Sequence, residues 1–173
     1  DSLLAELFLK TYHVFEKSAA LPKFPTEDEM ARQLETRVPA GIASEYLEHL
    51  PARYLSCYSW EAISSHIRMA RSLAGQAPVV EWTHERETHA TLTLCTRDRY
   101  GLFSKIAGSM FASRLNILEA QIHTWGNGIA LDTFHVEDAT GDVQRRIKQF
   151  QANLEGIVIG NRSLKELLSH QKE

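Results

Sequence analysis

Three observations predict an α+β fold for this sequence. Up to about residue 75 the apolar residues fall at helical spacing, and from about residue 76 they alternate with polar ones in short runs. Gly126-Asn127-Gly128 is a hairpin signal, because glycine and asparagine tolerate the positive φ of a tight turn. In the second part the order is strand, helix, strand, hairpin, strand, helix, which is the split βαβ order of a ferredoxin-like domain with an antiparallel sheet.

The chain opens inside a helical stripe formed by Leu3, Leu4, Leu7, Phe8, Tyr12 and Phe15, with no initiating methionine, and reads as a segment of a longer protein. Pro22 and Pro25 make a short linker. Thr26 and Glu29 have the spacing of a capping box, so a helix is expected from about Pro25 to Thr36. Pro39 suits the first turn of the next helix, which carries Ile42, Tyr46, Leu47 and Leu50. Pro51 to Leu55 reads as a link, and Ser59 as the N-cap of a helix bearing Ile63, Ile67 and Met69, ended by Gly75 and Pro78.

Val79 to Thr83 is a short strand, Glu85-Arg86-Glu87 a polar turn, and Thr88 to Thr96 the strand it pairs with. Leu102, Phe103, Ile106, Met110 and Phe111 then recur at spacings of three and four, and Ser113-Arg114 closes that helix. Strands from Asn116 and from Ile129 to Glu137 flank the hairpin. A helix with the stripe Val143, Ile147, Phe150 and Leu154 follows, and a last one is capped by Ser163 with Glu166. The fourth strand of the fold is missing or replaced: Ile157-Val158-Ile159 is a short candidate, and Val79 to Thr83 is expected to take the vacant edge.

Alternation sets Leu92, Leu94, Leu118, Ala120, Ile122, Phe134 and Val136 on one face. Thr91, Thr93, Glu119, Gln121, His123, Thr133 and His135 lie on the other. One apolar and one polar face predict helices on one side only.

Composition excludes several classes. A net charge of −3 gives no general attraction to nucleic acid or an anionic membrane. No run approaches the roughly 18 apolar residues of a membrane span, and no secretory signal opens the chain. Cys57 and Cys95 form no paired motif and read as reduced cytoplasmic thiols. Trp60, Trp82 and Trp125 form no basic aromatic platform. No glycine-rich phosphate loop or nucleophile constellation is evident. His123 and His135 could face each other across the hairpin, but further zinc ligands are not evident.

The leading candidate site is the loop Asp98-Arg99-Tyr100-Gly101. It delivers a helix N-terminus, whose free N–H groups and positive dipole end favour a carboxylate. Asp98 can pair with an ammonium, and Gly101 lets the backbone approach a ligand. Together they suit a free amino acid. The plainer reading is that Asp98 caps the helix and Gly101 permits the turn. Asp132 shares the parity of Phe134 and so points toward the helices, where a buried carboxylate needs partners. Ordering the loop and a purely structural hydrogen bond are both open for it.

Three blocks of this part carry a family resemblance. Asp98-Arg99-Tyr100-Gly101-Leu102-Phe103, Asn116-Ile117-Leu118-Glu119-Ala120 and Ala130-Leu131-Asp132-Thr133-Phe134-His135-Val136 resemble, in order and distance, an ACT domain. More narrowly they resemble the first ACT domain of the bacterial PII uridylyltransferase/uridylyl-removing enzymes. In the helical half, Ser2 to Phe8 is similar to the helix after that family's HD domain. Leu50 to Leu55, Trp60 to Ile63 and His66 are similar to its helical connector.

The resemblance implies a connector over residues 1–75, following a catalytic domain not contained in this chain. It implies an ACT domain over 76–173, the first of a tandem pair, with a C-terminal helical extension. It assigns effector binding to Asp98, Arg99, Tyr100, Gly101, Leu102 and Phe103, with Asn116 and Ile117. The expected function is noncatalytic, regulatory sensing of an amino acid, glutamine by the family habit. The parent enzyme would be a nucleotidyltransferase and phosphodiesterase acting on the PII nitrogen-signalling protein. That family's divalent metal, Mg2+ or Mn2+, belongs to motifs absent here, so no cofactor or metal site is expected. A second ACT domain and a homodimer are expected partners. The alternatives are an ACT interaction module with no ligand of its own and an ACT sensor of another amino acid.

Overall fold

The computed structural model describes residues 26–39, 41–138 and 140–169. The expected stripe Leu3–Phe15 and the Pro22–Pro25 linker lie outside them. In chain order the elements are α1 (Glu27–Glu35), α2 (Ile42–Leu47), α3 (Ala52–Cys57), α4 (Trp60–Ser72), β1 (Val79–Arg86), β2 (His89–Arg97), α5 (Leu102–Ala112), β3 (Asn116–Thr124), β4 (Ile129–Glu137), α6 (Val143–Val158) and α7 (Leu164–Ser169).

Local chemistry sets the ends of these elements. Thr26 and Glu29 form the reciprocal capping box, and the Ser59 hydroxyl accepts from the Ala62 N–H at 3.3 Å. Pro51 is the N-cap of α3 rather than part of a plain link: its backbone is extended (φ −65°, ψ 143°) and its carbonyl accepts the first helical bond, from the Leu55 N–H at 3.1 Å. Arg114 ends α5 with a φ of 58°, and the Leu115 N–H reaches back to the Met110 carbonyl at 3.0 Å. The capping pair Ser163 and Glu166 is present as expected.

The four strands form one antiparallel sheet in the order β1-β2-β4-β3. β1 fills the edge beside β2, with Val79 opposite Cys95 and Thr83 opposite Thr91. It runs on to Arg86, past the expected polar turn. Ile157-Val158-Ile159 is not a strand. Ile157 and Val158 complete the stripe of α6 with Val143, Ile147, Phe150 and Leu154, all buried. At about 1.5–3 kcal/mol for each fully buried apolar side chain, that helical face outweighs a three-residue edge strand.

Helices α5 and α6 cover one face of the sheet, over Ala90, Leu92, Leu94, Ala130, Phe134 and Val136. The other face is not left to solvent. Leu34, Tyr46, Tyr54, Ile63 and Ile67 of α1 to α4 pack with Cys95, Trp125, Ile129 and Leu131 in a second core. The expectation of helices on one side only is therefore corrected. Strand alternation missed it because the apolar residues that receive the helical part, Cys95, Ile129 and Leu131, sit at the strand ends nearest the hairpin.

Strand β3 departs from its expected burial as well. Leu118 is 55% exposed and Ile122 47%, and from α5 Phe103 is 50% and Phe111 67% exposed. The two helices do not reach over this edge. A register shift between Ile117 and Glu119 sets Ile117 opposite Val136 on the helix side and leaves Leu118 without a partner residue on β4.

Candidate functional site

A cleft of about 240 Å3 opens between the start of α5 and the hairpin ends of β3 and β4. Its lining comes from three places. The β2–α5 loop and first turn of α5 give Asp98, Arg99, Gly101, Leu102, Phe103 and Ser104; β3 gives Ile122 and Thr124; β4 gives Ala130 and Asp132. Antiparallel register makes this possible, since Ile122 stands opposite Asp132 and Thr124 opposite Ala130.

Gly101 occupies the N-cap of α5 at φ 71°, a conformation glycine adopts at low cost, and no side chain caps this helix. Asp98 does not cap it, which disposes of the plainer reading of that residue. The Leu102 N–H bonds the Arg99 carbonyl at 3.0 Å and the Lys105 N–H bonds the Gly101 carbonyl at 3.1 Å. The first-turn N–H groups of Phe103 and Ser104 have no intrahelical carbonyl to bond, and both residues line the cleft. The positive end of the helix dipole thus meets the cavity.

Asp98 is held by its backbone, whose N–H bonds the Gly128 carbonyl at 2.9 Å. Asp132 is buried at 2% exposure, and its Oδ1 has no hydrogen-bond partner. Burial pushes its carboxyl up to about 7; the His123 backbone N–H pulls against this, and the nearby Asp98 charge adds to it.

Among the site residues expected from sequence, Asp98, Arg99, Gly101, Leu102 and Phe103 come together here, joined by Asp132. The Arg99 guanidinium is turned aside, donating to the Gln76 side chain at 3.2 Å and the Val158 carbonyl at 3.1 Å. Tyr100 is fully exposed and does not line the cleft. Asn116 and Ile117 are not brought to it either. They stand opposite Glu137 and Val136, at the far end of β3. Ile117 lies five positions before Ile122, roughly 17 Å along a strand. Ser104, Ile122, Thr124 and Ala130 were missed. Pairing β3 with β4 outward from the hairpin would have found the last three.

The two histidines of the hairpin do not face each other. His123 stands opposite Leu131 and His135 opposite Glu119. His123 is buried edge-on against Tyr54 at 5.3 Å, whereas His135 bonds the Thr91 hydroxyl at 2.9 Å. Among the described residues no group of three His, Cys, Asp or Glu side chains is placed to hold a metal ion. No helix among them is long and apolar enough to cross a membrane.

The helical half touches the same region. The Gly126 N–H in the hairpin bonds the His49 carbonyl at 2.8 Å, and Trp125 lies edge-on to Tyr46 at 5.9 Å and to Tyr54 at 5.4 Å. The Tyr58 hydroxyl donates to Thr133 at 3.0 Å.

No protein-family model matches the chain. Individual proteins do. A bifunctional uridylyltransferase/uridylyl-removing enzyme of Rhodospirillum rubrum is 32% identical over 185 aligned positions, covering 99% of this chain and 19% of that protein. The chain belongs to this enzyme family. The enzyme of the same description from Gluconobacter oxydans is 33% identical over 149 positions, covering 81% of the chain and 16% of its own length. The one from Azospirillum brasilense is 34% identical over 106 positions, covering 57% and 11%. The chain thus spans less than one fifth of each of these relatives, and the similarity reaches through the helical half as well as the sheet.

Proposed function

We propose that this chain is the regulatory, amino-acid-sensing part of an enzyme that uridylylates and deuridylylates the PII signalling protein, with glutamine as the effector. Residues 1–75 serve as the connector from a catalytic domain, and 76–173 as the first ACT domain of a pair. The observation that carries the reading is the cleft itself. An uncapped helix N-terminus offers donors to a carboxylate, and two aspartates a short way off offer acceptors to an ammonium. Zwitterions have that charge layout. Effector binding shifts the balance of the two activities only as far as its affinity differs between the two states of the enzyme. The catalytic steps and any metal they use belong outside this segment.

Isothermal titration with glutamine and a panel of other amino acids, beside Asp98→Ala, tests the reading. Glutamine-selective binding that the variant loses is the expected result, with a Kd on the order of 1 mM, or about −4 kcal/mol. Selectivity for a different amino acid would reassign the effector while keeping the sensor.

A second reading, an interaction module with no ligand of its own, is favoured by a different observation. Phe103, Phe111, Leu118 and Ile122 leave apolar surface exposed along the β3 edge and α5. This surface suits a second ACT domain or a second copy of the chain. Silence toward every amino acid, combined with self-association in sedimentation, would favour it.

A further inference from the structure

Asp132 is a buried carboxyl that takes a backbone bond from His123, has an unused acceptor atom in Oδ1, and lines the cleft. Other buried side-chain atoms of this fold also lack hydrogen-bond partners, those of Thr96, Ser109, Gln121, His123, Trp125 and Arg146, but Asp132 alone of these residues lines the cleft, where an entering donor can reach it. Asp98 lines the same cleft from the β2–α5 loop. Arg99, the sole cation among the lining residues described, spends its guanidinium on Gln76 and Val158. The cavity therefore has a donor end at the start of α5 and an acidic end at the two aspartates, which accepts hydrogen bonds when Asp132 is ionised. Ile122, Leu102 and Ala130 give the wall between them little hydrogen-bonding capacity.

We propose that Asp132, together with Asp98, determines specificity in this cleft by accepting N–H bonds from a zwitterion with a neutral carboxamide side chain and repelling one whose side chain ends in a carboxylate. The proposal rests on the amino-acid-sensing reading and adds the residues that tell an amide from its acid. The ligand carboxylate sits at the α5 N-terminus, the ammonium at Asp98, and the carboxamide N–H at Asp132. A second ligand carboxylate would meet the Asp98 charge and could stand beside Asp132 only while that group keeps its proton, whereas the carboxamide meets ionised acceptors. The other titratable groups near Asp132 do not relieve this. Asp98 adds like charge, and burial holds the Tyr58 phenol and the Cys95 thiol neutral from the opposite face of the sheet. Burial raises the Asp132 carboxyl to about 7, and an N–H bond donated to its ionised form favours that form, so binding near neutrality releases a fraction of a proton.

The test is calorimetric titration of the 173-residue chain with L-glutamine, L-asparagine, L-glutamate and L-aspartate, wild type beside Asp132→Asn. Circular dichroism verifies that the near-isosteric variant is folded. The expected result is a carboxamide bound at least ~10-fold more tightly than its acid, with Asp132→Asn lowering that affinity about tenfold and bringing the ratio toward one. Titration of the wild type near pH 7 in two buffers of different ionisation enthalpy reads proton release without any variant. Zero release, or glutamate bound as well as glutamine, overturns the proposal. Carboxamide binding unchanged in Asp132→Asn overturns it while leaving the sensor reading intact. Silence toward all four amino acids overturns the sensor reading, and this proposal with it.

Discussion

The two faces of the sheet bury different kinds of polar group. Beneath the helical half, the His66 ring shares a 2.8 Å hydrogen bond with the Tyr54 hydroxyl, and burial drives the imidazole down to about 4, so it stays neutral. His123, packed against the same tyrosine, is lowered for the same reason. Beneath α5, Asp132 is equally secluded, yet half its carboxylate is unpartnered. One face holds neutral rings: His66 is paired with Tyr54, while the His123 Nε2 and Trp125 Nε1 are buried without hydrogen-bond partners and do not line the cleft. The other holds an ionisable carboxyl whose unmet oxygen belongs to a residue lining an opening. Neither burial nor an unmet bond alone separates the two; the cleft beside Asp132 does.

The sharpest way to break that contrast is to remove the centre of the ring-packed face. Trp125 is buried against Tyr46 and Tyr54. Trp125→Ala is expected to cost about 3–5 kcal/mol in urea unfolding. Probes in α4 and in β2 should still report one transition, since both contribute to the same core. Two separated transitions would show that the helical half and the sheet hold together less firmly than this core implies.

Next in size are opposed pH dependences. The Asp132 pKa is raised from 3.8 to about 7, so the folded state binds the extra proton and stability falls as pH rises across that interval. The His66 pKa is lowered from 6.5 to about 4, so the unfolded state binds the extra proton and stability rises with pH across its interval. Between about pH 4.5 and 6.5 the two slopes oppose each other, each at most about 1.4 kcal/mol per pH unit. Asp132→Asn should leave a stability that climbs with pH, and should stabilise the unliganded chain at pH 7 by a few kcal/mol. His66→Gln should leave one that declines. Asp138 stays out of this window. Burial disfavours its charge, but bonds from Thr140 and Asp142 and the nearby Arg146 outweigh that and hold its pKa below 3.8, where its contribution is lost on acidification. Parallel slopes in the two variants would refute the assignment.

A smaller effect comes from the Tyr54–His66 bond itself. Tyr54→Phe removes the hydroxyl and leaves the His66 Nδ1 unpaired, at an expected cost of about 1–2 kcal/mol in chemical unfolding. The smallest is at the β3 edge. Leu118→Lys should move stability by less than about 0.5 kcal/mol, because the side chain is exposed. If that edge is a docking surface, the same variant reduces self-association in sedimentation.

Much of this was legible in the residues, for local reasons. Thr26 with Glu29, Ser59 and Gly126-Asn127-Gly128 announce their ends through side-chain and backbone chemistry that needs no tertiary partner. The Asp98–Phe103 turn announced a helix start. What stayed hidden depended on registration. Ile122, Thr124 and Ala130 enter the cleft only once β3 and β4 are aligned, and His123 and His135 separate by the same alignment. Pro51 to Leu55 looked like a link because six-residue helices owe their stability to packing, here Tyr54 fully buried, rather than to propensity. The exposure of Phe103 and Phe111 contradicts their helical stripe, and only the position of α5 near the edge strand explains it.

The hairpin tip is shared property. Its Gly128 carbonyl holds the Asp98 amide, and its Gly126 amide is held by the His49 carbonyl, with one residue, Asn127, between them. Local opening of the tip breaks both bonds in a single event, so the amide hydrogens of Asp98 and Gly126 should exchange with solvent at one common free energy. The loop that lines the cleft and the helical half that approaches from the other side therefore loosen together or not at all.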